Sequence, residues 1–132
     1  MARNIRDLLS DADTGAAYLK ALSSNSFDSI LITDASRQGK IMYANAAFKK
    51  LTGYEPKSVV GKTPKILQGP ATDPKVVARL AACLRTGKKF EGKAVNYKRD
   101  GTPFIMYWRV IPVRSGKEIF AWMAIQREGS FI

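Results

Sequence analysis

The last third of the chain is cut into three β-rich runs by two tight turns, and this constrains the fold more than any other feature. Residues 90–98, 103–113 and 119–127 carry the aromatic and β-branched side chains of a pleated, half-buried surface. The turns Arg99-Asp100-Gly101 and Ser115-Gly116 lie in the short gaps between them. Connections this short cannot cross over a sheet, so neighbouring runs must be antiparallel.

Two further β runs stand earlier. Ile30-Leu31-Ile32-Thr33 ends at Asp34-Ala35-Ser36 and the Gly39 turn, and Lys40-Ile41-Met42-Tyr43 returns from it. Helical signals fill the space between the two β groups. Asn45 caps a helix that carries Phe48 and Leu51 and stops at Gly53. Pro56 opens a single turn ending near Gly61, and Asp73 with Pro74 opens a longer helix that stops at Gly87. Ahead of everything, Ile5, Leu8, Leu9, Ala12, Ala16, Leu19 and Leu22 form a helical stripe over 4–22. Asp11, Asp13 and Gly15 are expected to divide that helix, and Ser23-Ser24-Asn25-Ser26 to form a loop after it. A stripe outside the core must either fold back on the sheet or pair with a second copy. The order of two strands, short helices and three strands predicts an α+β domain: a five-stranded antiparallel sheet with short helices on one face and an N-terminal helical cap. We place the cap at 1–26 and the main domain at 27–129.

The chain of 132 residues is long enough for one core without disulfides. Its single cysteine, Cys83, excludes an internal disulfide and suits a reducing cytoplasm. No apolar run is long enough to span a membrane. There is no histidine, which excludes Ser–His and Cys–His catalytic pairs, histidine zinc sites and haem on a proximal histidine. Haem held by Met or Cys stays open. Gly61-Lys62-Thr63 imitates the end of a phosphate-binding loop, but the glycine required five positions earlier is Pro56. The acidic residues form no paired-carboxylate motif, so we expect no enzyme.

The net charge of +11 is unevenly spread: residues 37–99 carry +12, and the segments on either side carry −2 and +1. A solvated lysine-rich surface explains this more simply than nucleic-acid binding, for which no motif is present. Attraction to a cofactor phosphate or an acidic partner is the other reading.

Two separated stretches carry a family resemblance. Tyr43-Ala44-Asn45-Ala46-Ala47-Phe48, Leu51-Thr52-Gly53-Tyr54 and Val60-Gly61-Lys62 resemble the central signature of PAS domains, and Asn96 through Phe104 resembles the fourth-strand signature. The resemblance spans about 27–128. Within PAS it leans toward the light-oxygen-voltage (LOV) branch, which carries Gly-x-Asn-Cys-Arg-Phe-Leu-Gln followed by Gly-Pro-x-Thr-Asp. Here Gly61-Lys62-Thr63-Pro64-Lys65-Ile66-Leu67-Gln68 precedes Gly69-Pro70-Ala71-Thr72-Asp73. Pro64 stands where that branch has its photoadduct cysteine, and Thr63 where it has an Asn.

The resemblance implies a sensory flavoprotein for signal transduction, with FMN as cofactor, FAD as the alternative, and no cysteinyl adduct. A flavin's pyrimidine edge alternates donors and acceptors, which carboxamides match. Asn96 and Gln126 stand at two of the family's flavin-reading positions, Met106 at the third, and Gln68 follows the cysteine motif. Lys65 replaces a phosphate-binding Arg, keeping charge without the bidentate fork. The second phosphate Arg falls on Ala81, with Arg79 nearby. The expected cofactor residues are therefore Thr63, Lys65, Gln68, Asn96, Met106 and Gln126; one phosphate cation favours FMN. Trp108 and Trp122 read as core or interface residues that could also pass an electron to a photoexcited flavin. On this reading, blue light or redox change protonates the flavin's N5 and obliges Gln126 to re-present its carboxamide, biasing a homodimer formed through the N-terminal helix and sheet face. A separate effector protein could receive the output, and neither membrane nor nucleic acid is expected as a partner. The competing reading is a cofactor-free PAS module for dimerisation or protein–protein interaction.

Overall fold

The C-terminal β-meander organises the molecule, and the N-terminal hairpin joins it at one edge. The computed structural model describes residues 12–130. In chain order the elements are α1 (Ala12–Ser24), β1 (Ser29–Asp34), β2 (Ile41–Ala44), α2 (Ala46–Thr52), α3 (Pro56–Val59), a 3-10 turn (Pro64–Leu67), α4 (Pro74–Thr86), β3 (Phe90–Tyr97), β4 (Pro103–Ser115) and β5 (Glu118–Glu128). The five strands form one antiparallel sheet in the order β2-β1-β5-β4-β3. Pairing of β1 with the central strand β5 brings residues nearly 100 apart in sequence onto one face.

Period-2 alternation decides which face is buried. On β4, Phe104, Met106, Trp108 and Val110 point to the helices and are buried. Phe48, Val59 and Leu67 meet them from α2, α3 and the 3-10 turn. This is the α+β arrangement that the element order predicts.

Local chemistry sets the boundaries. Asn45 accepts a hydrogen bond from the Phe48 amide (3.2 Å) at the start of α2, and Gly53 ends that helix in the left-handed region at φ 80°. Asp73 accepts from the Lys75 amide (2.9 Å) ahead of Pro74.

Three expectations require correction. Gly15 does not break the N-terminal helix: α1 is continuous from Ala12 to Ser24, so the penalty of about 1 kcal/mol for one glycine does not interrupt it, and Asp11 lies outside the described residues. Ser23 and Ser24 are helical, leaving the connecting loop shorter than predicted. The 3-10 turn at Pro64–Leu67 was not anticipated; four residues are too few for a periodic signal. The predicted helix over 4–11 lies outside the described residues.

The described part of α1 does not fold back on the sheet. Tyr18, Leu19 and Leu22 are exposed, as is Phe27 beyond the helix. The helix is attached at its C-terminal turn, where Ser23 is buried. Its Oγ lies 2.7 Å from the Tyr43 hydroxyl, and its carbonyl accepts from Asn45 Nδ2 at 2.8 Å.

Candidate functional site

A cavity of about 300 Å³ lies between the helix-facing side of the sheet, α4, the 3-10 turn and the turn joining β1 to β2. That volume is at the lower end of the range for small-molecule pockets. The sheet contributes Leu31, Trp108, Val110, Trp122, Ala124 and Gln126; α4 contributes Val77, Leu80, Ala81 and Leu84. The lining is mostly apolar, as small-molecule pockets usually are.

The polar groups are few and placed at two depths. At the buried end, Gln126 on β5 stands in register with Ser29 of β1 and Trp108 of β4. Its Oε1 accepts from Ser29 Oγ at 3.0 Å. Its amide nitrogen has no hydrogen-bond partner among the described residues, so a donor remains available on a side chain that lines the cavity. Ser29 is itself buried, and its hydroxyl can donate or accept. Ser29 can therefore hold the Gln126 carboxamide in either orientation.

At the open end stand Thr63, Pro64, Lys65 and Gln68 from the 3-10 turn, and Arg37, Gln38 and Gly39 from the β1–β2 turn. The Asp34 carboxylate pins the latter turn. Asp34 Oδ1 accepts from Ser36 Oγ (2.5 Å), the Ser36 amide (3.1 Å) and the Lys40 amide (3.0 Å). The Ser36 hydroxyl bond is the largest cause holding the Asp34 carboxyl below its ordinary pKa, outweighing partial desolvation, with the two amides and the Lys40 charge adding to it. No carboxylate lines the cavity among the described residues.

Of the six residues expected to hold a cofactor, Thr63, Lys65, Gln68 and Gln126 line this one cavity. Asn96 and Met106 are buried on the same sheet face but do not line it. Asn96 is turned to its own strand, where Nδ2 reaches the Ala94 carbonyl at 3.4 Å. Met106 stands opposite Ala94 in the β3–β4 register. Both tryptophans prove to be buried, and both line the cavity. Trp108 also packs against Phe90 at a ring separation of 5.0 Å.

Sequence reasoning missed Ser29 and Arg37. Ser29 hid at a strand edge. Arg37 hid in a turn, although Asp34-x-Ser36 is a recognisable signal for a side-chain-pinned loop. Arg79 is engaged elsewhere: its guanidinium lies 4.6 Å over the Phe90 ring, and Nη1 donates to the Glu91 carbonyl at 2.9 Å. Gly92 makes room for it, since a Cβ there would stand 2.6 Å from Arg79 Nη2.

The described residues contain no group of potential metal ligands, and no described helix is long and apolar enough to cross a membrane.

Comparison with known proteins agrees with this geometry. The family model described as "PAS fold" matches residues 17–128, beginning inside α1. Phototropin-2 of rice (Oryza sativa subsp. japonica) is 38% identical over 104 residues, covering 76% of this chain. A blue-light-activated histidine kinase of Brucella anthropi is 41% identical over 75 residues, covering 57% of this chain. The chain spans only 12% and 15% of those two proteins. Among solved structures, the LOV domain of a blue-light activated histidine kinase from Erythrobacter litoralis superposes with a TM-score of 0.73 at 34% identity, covering 76% of this chain and 94% of that one. A sheet ordered β2-β1-β5-β4-β3 with its cavity under the helices, and relatives that share both sequence and shape, make this chain a member of the PAS family with close relatives among LOV domains.

Proposed function

We propose that this domain binds a flavin non-covalently and serves as a blue-light or redox sensor that forms no cysteinyl adduct. The observation that carries the reading is the buried Gln126 carboxamide, its nitrogen unpartnered, lining an apolar cavity. A flavin supplies blue absorption and one- or two-electron redox chemistry when bound. The residues fit such a ring system: the apolar walls accept a flat heterocycle, and Gln126 and Gln68 offer carboxamides for its polar edge. Pro64 has no thiol to offer, and Cys83 is not among the lining residues.

Gln126 and Ser29 supply the response. A change of protonation on the ligand would favour one orientation of the Gln126 amide over the other, and Ser29 can follow it by exchanging donor for acceptor. Ser29 begins β1, next to the segment that leads from α1, so the change arises beside the attachment of that helix. The exposed Tyr18, Leu19 and Leu22 then offer a surface for a second copy, and the resulting homodimer is the two-state element.

The cofactor-free interaction module is favoured by one specific observation. Asn96 and Met106 do not line the cavity, while the large rings of Trp108 and Trp122 do.

An absorption spectrum of freshly purified protein, with titration of FMN if it is colourless, separates the two. Binding is expected to give a flavin band and, because both tryptophans line the cavity, to quench tryptophan emission. Blue light with a mild electron donor should bleach the band equally in Cys83→Ser. A colourless protein that ignores added FMN and FAD refutes flavin binding. A photoresponse lost in Cys83→Ser refutes the adduct-free reading.

A further inference from the structure

The open end of the cavity carries two cations that the protein leaves unpaired. Lys65 comes from the 3-10 turn and Arg37 from the β1–β2 turn, and both line the cavity. Neither side chain makes a hydrogen bond or ion pair among the described residues, in contrast to Arg109 and Arg127, which pair with Glu91 and Asp28. Arg79, the nearest alternative cation on α4, is committed to Phe90 and the Glu91 carbonyl, and the α4 residue that does reach the cavity is the uncharged Ala81.

The turn that presents Arg37 is built to hold still. Asp34 gathers three hydrogen bonds across it, from Ser36 Oγ, the Ser36 amide and the Lys40 amide, and the Gly39 amide donates to the Ser36 carbonyl at 3.1 Å. Gly39 takes φ 65°, which a side chain would disfavour. Arg37 is therefore anchored at its backbone while its guanidinium remains free, an arrangement that lowers the entropy lost on binding an anion.

We propose that Arg37 of the β1–β2 turn joins Lys65 in holding the phosphate of a flavin phosphomonoester at the open end of this cavity. This rests on the flavin reading above. Two positive charges match the charge of about −1.5 to −2 on a phosphate monoester at neutral pH. The guanidinium supplies the planar fork that Lys65 lacks. The second phosphate cation is thus delivered by the β1–β2 turn instead of α4.

The test is a pair of titrations of flavin-free protein, with FMN and with riboflavin, followed by tryptophan quenching. Wild type is expected to hold FMN more tightly than riboflavin by about tenfold or more, since a charge-assisted hydrogen bond is worth at least that factor. Arg37→Gln should weaken FMN about tenfold, leave riboflavin unchanged and flatten the salt dependence of FMN binding. Arg37 is exposed, so the variant is expected to fold normally, and retained riboflavin affinity reports that it has. If wild type binds FMN and riboflavin equally, or Arg37→Gln leaves their ratio unchanged, the flavin site stands and the Arg37 subsite is refuted. If neither flavin binds, the flavin reading fails and takes this inference with it.

Discussion

Replacing Asn45 by alanine tests how the helical cap is attached to the sensor domain. Its side chain is 2% exposed and makes four hydrogen bonds. Oδ1 accepts from the Ile30 amide (2.9 Å) and the Phe48 amide (3.2 Å); Nδ2 donates to the carbonyls of Ser23 (2.8 Å) and Asp28 (3.1 Å). One side chain thus ties together the end of α1, the start of β1 and the cap of α2. Loss of an N-cap residue costs about 1 kcal/mol. Stranding the Ile30 amide adds about 1–3 kcal/mol. A total near 3 kcal/mol, with a urea slope of about 1.5 kcal/mol/M, lowers the midpoint by roughly 2 M.

Asn45→Asp separates the two halves of the role. A carboxylate only accepts, so the bonds from Ile30 and Phe48 survive while lone pairs face the Ser23 and Asp28 carbonyls. The expected result is a preserved α2 and a released α1, seen as fast amide exchange at the end of α1 with little change at Phe48. Urea unfolding followed by the emission of the buried Trp108 and Trp122 gives the alanine result. A midpoint shift under about 0.5 M for Asn45→Ala, corresponding to less than about 1 kcal/mol, would refute the reasoning.

Gly69→Ala should lower the melting temperature by at least about 3 °C, because the new Cβ would stand 2.3 Å from Tyr97 Cε1; an unchanged melting curve would show that Tyr97 moves freely. The Asp34 carboxyl, held down by Ser36 Oγ and the amides around it, should titrate below its ordinary 3.8. Its contribution to the β1–β2 turn is then present above that value and lost as pH falls through the lower folded value. Carboxyl shifts in NMR check this, and a midpoint at or above 3.8 contradicts it. Gln126→Leu removes the acceptor of Ser29 Oγ and the cavity's buried amide. We expect flavin to remain bound while the dimer change on reduction disappears in sedimentation, and an unchanged dimer response would exclude Gln126 as the relay.

The elements were legible where a backbone group needs a particular side chain. Asn45, Gly53, Asp73 and Gly87 mark helix ends in the sequence, and they cap or terminate helices in the structure. Legibility failed where propensity is weak. Gly15 reads as a break but is carried through α1, and the serines at 23 and 24 read as loop but close that helix. Ser23 also has a partner that no local pattern discloses, the Tyr43 hydroxyl twenty residues away. In the site, Thr63, Lys65, Gln68 and Gln126 converge on one cavity. Asn96 and Met106 share the buried face without reaching it, because strand alternation sets a side chain's face and leaves its position along the strand to the packing above.

The structure also divides the LOV-like motif into parts with different work. Thr72 Oγ1 donates to the Val95 carbonyl (2.7 Å) and accepts from the Gly69 amide (3.0 Å), while the Ala71 amide donates to the Tyr97 hydroxyl (2.8 Å). Gly69 has no side chain because the Tyr97 ring occupies that space. The Gly-Pro-x-Thr-Asp segment is therefore a clasp that fixes the entry to α4 against β3, and any PAS domain built with this clasp would keep it, with or without a ligand. Its match to the LOV pattern is evidence of fold. The groups that could meet a flavin have no such structural duty: the unpartnered nitrogen of Gln126, the carboxamide of Gln68 and the side-chain cations of Lys65 and Arg37. Among the described residues no fully buried side-chain nitrogen or oxygen lacks a partner, so the Gln126 nitrogen opens onto the cavity, where an acceptor on a ligand can take its hydrogen bond.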